Sequence, residues 1–324
     1  MTLSAQEKVY PKDGEGIYAL LRRYNRTSQG DFDTFIQLNA KELGKNNTLL
    51  KGVAYTLPSE TVKLKDSEEK TEKSSEKRKN PLFGSKYEKY EIKDNALKGA
   101  CFFVVSGHGG PDVGCVGHVN GKELHEDEYA YDIMLRLARN LLEHGATVHI
   151  IIQDANDGIR DSEYLNNRKR ETCMGEAIPK NQKKRLYQRV DKINRLSAKA
   201  KEKYKRAIFI HLDSQLDKQV DVYFFHSNSK ASKRLAYTLK DTFEAKYKEH
   251  QPNRPYCGTA GYHPAFKPFV IYNTNPVSVF CELGNINHER DQQRFIIANN
   301  RQAMANWFLA ALIKDYRHSG YRSK

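Results

Sequence analysis

The sequence predicts an α/β fold: a mostly parallel sheet with helices on both faces, preceded by a small strand–helix–helix–strand domain. Two observations carry the larger part. From Ala96 onward, short β-branched and aromatic runs alternate with amphipathic stretches, the order that builds a parallel sheet from crossover helices. Three of those runs also end on an ionisable side chain. Cys101–Val105 leads into Ser106-Gly107-His108-Gly109-Gly110, Ala207–Ile210 leads into His211, and Val277–Cys281 leads into Glu282-Leu283-Gly284. Sites in open α/β sheets form at the carboxyl ends of strands, where these three residues would sit.

In chain order, residues 7–58 read as a small unit. Val9-Tyr10 is a short strand, and Glu15 to Tyr24 is a helix with Ile17, Leu20 and Leu21 on one face. Gly30 to Leu38 is a second helix on Phe32, Phe35 and Ile36, and Val53–Leu57 is a strand that stops at Pro58. From Ser59 to Asn80, Lys, Glu and Ser alternate with almost no apolar content, so burial cannot offset the entropy of ordering and a solvated tether is expected. Leu82, Phe83, Tyr87 and Tyr90 are too apolar for free linker and should pack on the main domain. The boundaries expected are therefore 1–58 for the small module, 59–94 for linker and lead-in, and 95–324 for the main domain. Within that domain the expected order starts with strand Cys101–Val105, helix Glu126–His144 and strand Thr147–Ile152. A polar stretch from Asp154 to Lys184, helix Leu186–Tyr204, and strands Ala207–Leu212 and Val220–His226 come next. Helix Lys230–Tyr247, strand Val277–Leu283 and helix Asp291–Tyr316 close the chain. No internal repeat is present.

Bulk properties narrow the function classes. A hydrophobic fraction of 39% over 324 residues is low for one compact core and agrees with a linker. The net charge of +14 suits an anionic environment. No basic helix with interleaved aromatics and no nucleic-acid motif is present, so a nucleic-acid partner is not expected. No run approaches the roughly 20 apolar residues of a spanning helix. The start, Met1 to Gln6, has no hydrophobic signal core, so an export signal is expected to be absent from this chain. Five cysteines without CxxC spacing make neither a disulfide framework nor a cysteine-rich metal site, and Cys101 and Cys281 read as buried thiols.

The chemistry follows from residue types. Two imidazoles and a carboxylate converging on one rim suit a zinc site, and zinc hydrolases leave one coordination position open for water. His108 stands on a Gly-rich loop that lets backbone and substrate approach closely. Glu126 begins a helix with Asp127 and Glu128, where free N–H groups and the dipole fix a carboxylate's orientation. His211 adds the third ligand, and Glu282 is the natural general base.

These segments resemble the zinc-dependent N-acetylmuramoyl-L-alanine amidases of the type 3 family. Gly107-His108-Gly109-Gly110-Pro111-Asp112-Val113-Gly114 matches the family's GHGG-x-D-x-G opening, and Glu126-Asp127-Glu128 its E-x-D/E helix start. Arg136-Leu137-Ala138, Gly145 to Val148, Arg189 with Asn194, Phe209 to Asp213, and Glu282-Leu283-Gly284 come in the family's order, from about 96 to 316. The resemblance implies hydrolysis of the amide between N-acetylmuramic acid and L-alanine in bacterial peptidoglycan. It implies one Zn2+ held by His108, Glu126 and His211, with Glu282 catalytic. Glu123 is a competitor for Glu126, although 126 fits the helix register better, and His125 is a rim residue. Peptidoglycan glycan strands and stem peptides are the implied partners, with room for a protein activator, and the implied setting is the bacterial cell envelope, in the periplasm. The small module resembles the LysM glycan-binding unit through Lys12-Asp13-Gly14, Leu38-Asn39 and Gly52 to Pro58. A small α/β adaptor without a ligand fits the same residues.

This chain departs from the pattern in places. Asp213 stands where the family usually has Asn, Asn285 where an aromatic often follows, and Tyr272 where Arg is common. Asp213, Tyr272 and Asn273 are the expected substrate-binding positions. The stretch Asp154–Lys184 exceeds the family's usual connection, so a lid, a specificity loop, an autoinhibitory segment and plain solvated surface all remain open. Two other function classes stand beside the amidase: a non-catalytic peptidoglycan-binding or regulatory protein on the same fold, and a zinc peptidase cutting within the stem peptide. Retention of all four chemical residues speaks against the first, and loss of the family match against the second.

Overall fold

Alternate side chains of one central strand reach helices on opposite sides of the sheet, and this fixes the layering of the larger part of the molecule. In the computed structural model, which describes residues 7–12, 15–24, 26, 29–44, 47–59, 78–214, 218–262 and 266–321, the chain divides into two compact units, Met1–Lys73 and Ser74–Lys324. The first contains β1 (Lys8–Val9), α1 (Ile17–Arg23), α2 (Gln29–Leu38) and β2 (Tyr55–Thr56). The second opens with β3 (Arg78–Lys79), a 3-10 turn at Pro81–Phe83, β4 (Lys89–Tyr90), β5 (Ala100–Ser106), the pair β6 (Val116–Val119) and β7 (Lys122–His125), and α3 (Glu126–Glu143). It continues through β8 (Thr147–Ile150), β9 (Ile152–Gln153), β10 (Thr172–Cys173), β11 (Glu176–Ala177), α4 (Gln182–Lys199) and β12 (Tyr204–Asp213). The last elements are β13 (Tyr223–His226), α5 (Lys230–His250), β14 (Thr259–Gly261), α6 (Phe269–Asn273), β15 (Val277–Asn285), α7 (Glu289–Ile296) and α8 (Ala298–His318).

Six strands form the main sheet in the order β14-β13-β15-β12-β5-β8. All neighbours pair parallel except β13 with β15, so the sheet is mostly parallel as expected. β5 reads ACFFVVS and is buried throughout, the mark of a strand covered on both faces. On β12, Tyr204 and Arg206 bond Asp315 of α8, while Lys205 between them reaches the carbonyls of Ser197 and Ala200 at the end of α4. Because strand side chains alternate, Phe209 and His211 share the α4 face with Lys205. β12 and β15 run in register, with Phe209 level with Phe280 and His211 level with Glu282. On the other face, α3 lies over β5, β8 and β12, α5 lies over β13, β14 and β15, and α8 packs on both helices.

The helical layer is locked by buried ion pairs. Asp132 and Arg301 are both fully buried; Asp132 Oδ2 accepts from Arg301 Nε at 2.6 Å and from Arg136 Nε at 2.8 Å. Removing one partner of such a group leaves charge buried without a counter-charge, which costs about 3–5 kcal/mol. Asp132→Ala should therefore lower the unfolding free energy by about that amount in chemical denaturation. A loss under about 1 kcal/mol would show that the two arginines find other partners.

Several elements differ from the sequence expectation. The helix placed at Leu186–Tyr204 runs from Gln182 to Lys199, because Asn181 caps it by accepting from Lys184 N, and Tyr204 opens β12. The strand placed at Thr147–Ile152 splits at Ile151, its first part in the main sheet and its second, β9, in a three-stranded sheet with β10 and β11. β10 and β11 lie in the expected polar stretch Asp154–Lys184, and Ile159, Leu165, Cys173 and Ile178 of the same stretch join the core. The expected helix Asp291–Tyr316 is two helices broken at Ile297. Of the expected tether, residues 60–77 lie outside the described residues, and Arg78–Lys79 pair with Lys89–Tyr90. Phe83 and Tyr90 are buried in the core of the larger unit.

The small unit has the strand–helix–helix–strand order. Lys8 and Val9 pair antiparallel with Thr56 and Tyr55 over a core of Leu20, Leu21, Phe35, Tyr55 and Leu57. Asn39 pins helix to strand: its Nδ2 donates to the Phe35 and Thr56 carbonyls at 2.8 and 2.9 Å, and its Oδ1 accepts from Thr56 N at 2.7 Å. Asp13 and Gly14 of the expected turn lie outside the described residues.

Candidate active site

His108, Glu126, His211 and Glu282 all line one cavity of about 440 Å³ at the carboxyl end of the sheet. β5 delivers His108, which leaves the strand in the left-handed region at φ 58°. β12 delivers His211, whose ring stacks on Phe280 at 4.2 Å between centroids. Glu126 is the first residue of α3 and is 1% exposed.

The carboxylate of Glu126 is held from both sides. Its Oε1 lies 3.0 Å from His211 Nδ1 and accepts from Leu212 N at 3.1 Å. Its Oε2 lies 3.2 Å from His108 Nε2 and accepts from Cys115 N at 3.0 Å. His108, Glu126 and His211 thus offer ligand atoms within 4.8 Å of one another. Two glycines of the loop make this approach feasible. A Cβ on Gly107 would sit 2.3 Å from the His211 ring, and one on Gly114 would meet Glu126 Oε2 at 2.6 Å and the His108 ring at 2.8 Å.

Around this trio sit supports to which the sequence assigns no role. Asp112 Oδ2 lies 2.9 Å from His108 Nδ1 and accepts from Arg185 Nη2 at 2.6 Å. A carboxylate on the far nitrogen fixes a histidine's tautomer and ring orientation. Gly110 N donates to Glu171 Oε2 at 2.7 Å, so the stretch after Asp154 buttresses the Gly-rich loop instead of lying loose on the surface. The spacing of Asp112 four residues after His108 is the one sequence signal for the first of these. Nothing in the sequence points to Glu171.

Electrostatics set the protonation states. Burial alone would lower the pKa of His108, but hydrogen bonds and charges from Asp112 and Glu126 raise it to about 10. Burial lowers that of His211, against a smaller upward pull from Glu126. Burial works to raise Glu126, yet the two imidazoles hold it well below the usual carboxylate range. Glu282 goes the other way: burial first, then the charges of Glu126 and Asp213, push it well above the ordinary value. Among the described residues, its buried Oε2 has no hydrogen-bond partner.

Not every expected residue reaches the cavity. Asp213 lines it, but Tyr272 and Asn273 do not. The cause is α6, a five-residue helix that the sequence does not predict. It turns Phe269 and Val270 toward the cavity and leaves Tyr272 37% exposed beside a separate shallow pocket with Ser227 and Asn228. Asn273 bonds the Phe269 carbonyl, and its own carbonyl accepts from Asn194 at 2.9 Å. Glu123, the competitor for Glu126, is on β7, its side chain 60% exposed and 3.0 Å from His125 Nε2, away from the trio.

Fold and site together define an α/β protein with a candidate cation centre at the carboxyl ends of its central strands. A family model described as N-acetylmuramoyl-L-alanine amidase matches residues 103–314, and the chain belongs to that family. No curated protein matches the chain. Among solved structures, the N-acetylmuramoyl-L-alanine amidase AmiC2 of Nostoc punctiforme shares 17% identity over 68% of this chain and 99% of its own, with a TM-score of 0.48. An N-acetylmuramoyl-L-alanine amidase from Clostridium difficile 630 shares 18% over 68% and 98%, with a TM-score of 0.49. The amidase Ami1 from Mycobacterium smegmatis shares 15% over 69% and 99%, also at 0.49.

Proposed function

We propose that this chain is a zinc-dependent amidase that hydrolyses the bond between the lactyl group of N-acetylmuramic acid and the L-alanine of the stem peptide. The single observation that carries the proposal is the convergence of His108, Glu126 and His211 on one cavity with Glu282. Two imidazoles and one carboxylate make a donor set suited to zinc with a position left open. The carboxylate of Asp112 behind His108 is the outer partner such a ligand needs. His108, Glu126 and His211 would hold the zinc, which would supply a Lewis acid for the amide carbonyl and a lowered pKa, toward about 7, for bound water.

The chain's own residues supply the proton traffic. Glu282 stands level with His211 on the neighbouring strand. Its carboxylate takes a proton from the attacking water as the carbonyl C–O bond forms, then delivers it to the amine nitrogen as the C–N bond breaks. The environment that raises its proton affinity suits a group that must hold a proton and release it. Aromatic side chains of Phe209, Phe269 and Phe280 wall the cavity and limit water. The test is digestion of purified peptidoglycan with and without a chelator, with products assigned by mass. Intact stem peptides beginning at L-alanine, lost on chelation, are the expected result. Fragments cut within the stem peptide would identify a peptidase instead.

The small unit is proposed as a LysM-like module that binds glycan and concentrates the enzyme on its polymer. A periplasmic setting belongs to the same proposal, since a net charge of +14 suits an anionic envelope. Removing residues 1–73 should leave cleavage of small soluble muropeptides nearly unchanged and lower the rate on intact sacculi. Equal loss on both substrates would mean that the unit supports the catalytic fold.

A further inference from the structure

Among the described residues, one charged group at the site is left without an ion pair. Helix α4 carries Arg185 and Arg189 one turn apart, and both line the cavity. Arg185 is neutralised, for its Nη2 lies 2.6 Å from Asp112 Oδ2. Arg189 is only 5% exposed, and among the described residues its buried Nε finds no hydrogen-bond partner. Its Nη2 donates to the carbonyl oxygen of His108. Among the described residues it forms no ion pair, and the nearby carboxylate of Asp112 is already shared between His108 and Arg185. Buried charges in folded proteins are paired as a rule, because an unpaired one keeps the full penalty of leaving water. A guanidinium also matches a carboxylate through two parallel N–H donors, which makes it the usual receptor for that group.

We propose that Arg189 is the receptor for a carboxylate of the substrate, borne by the stem-peptide residue after L-alanine. The proposal rests on the amidase reading of the site and adds a selection rule to it. The place of Arg189 supports that assignment: it lines the same cavity as His108, Glu126, His211 and Glu282, and it donates to the carbonyl of His108. The pairing charge arrives with the substrate and leaves with the product, and among the described residues no ion pair replaces it in the free enzyme. A peptide with that carboxylate converted to carboxamide offers the same shape without the charge.

The test uses the full chain loaded with zinc and two N-acetylmuramoyl dipeptides that differ only in carrying a free carboxylate or a carboxamide on the second residue. The wild-type protein should favour the carboxylate in kcat/KM on the order of 10–100-fold. In Arg189→Gln that ratio should fall to near one, with zinc content unchanged. Dissociation constants measured in the Glu282→Gln background should show the same loss of preference without turnover. Arg189→Lys, which keeps the charge but not the paired donors, should restore part of the ratio and serves if the Gln variant fails to fold. Equal use of both peptides by the wild-type protein overturns the proposal and leaves the amidase reading standing. A ratio that persists in Arg189→Gln, or a fall in zinc that accounts for equal losses on both peptides, assigns Arg189 to holding the His108 loop and overturns it as well. Cleavage of neither peptide by the zinc-loaded wild type overturns the amidase reading and the proposal together.

Discussion

Glu282→Gln is expected to cut turnover by about 10²–10⁴-fold, the usual worth of general acid–base catalysis, while zinc content and substrate binding stay near normal. The substitution keeps the shape of the side chain and removes only the group that takes a proton from water. The slow rate should hold at every pH tested, since an amide has nothing to titrate there. Burial has a second consequence. In the metal-free protein the carboxyl of Glu282 has its pKa well above the ordinary value, by desolvation and by the charges of Glu126 and Asp213. A carboxyl whose folded pKa is raised adds stability that is fully present below the unfolded value, about 4.3, and is lost as pH rises through the folded one. Metal-free wild-type protein should therefore lose stability between pH 4 and neutrality relative to the Gln variant, which has no such group. Denaturation of both proteins across that range reads the difference. Near-wild-type turnover in the variant would move the base elsewhere, with Asp213 the first to examine.

The part of the site legible in the sequence is the part that apolar runs announce. His108, His211 and Glu282 each end such a run, and the parallel sheet puts all three on one rim. Glu126 is legible because a helix start is a local signal, and α3 begins at that residue. The rest depends on contacts between distant segments. α6 is only five residues long and shows no periodicity, so nothing in the sequence signals that Tyr272 and Asn273 turn away from the cavity. The break between α7 and α8 has no Pro or Gly to mark it. It is made by Arg301, whose Nη1 donates to the carbonyls of Phe295 and Ile296 and so satisfies groups that the end of α7 leaves open. Arg189 belongs to a legible pattern, but that it forms no ion pair among the described residues is a property of its surroundings. Glu171 reaches Gly110 from sixty-one positions away. Such pairings are invisible until the chain is folded.

His108→Ala and His211→Ala should each lose zinc, and with it nearly all activity. Zinc sites of this type hold the metal through three protein donors, so removing one nitrogen leaves two and opens a second position to water. The two variants should nevertheless differ in what remains. His108 carries Asp112 on its far nitrogen, and its loss also frees the Arg185–Asp112 pair from the ring it supports. His211 is packed on Phe280, so its loss opens space in the aromatic wall at the end of β12. Asp112→Asn offers a graded control, because loss of an outer partner usually costs about 10–100-fold in metal affinity without removing a ligand. Zinc measured by mass spectrometry of the native proteins should fall in the order wild type, Asp112→Asn, then the two Ala variants. Full zinc in both Ala variants would place the metal outside the trio and return Glu126 to the role of a helix-start carboxylate. Full zinc in one alone would show that only the other imidazole is a ligand.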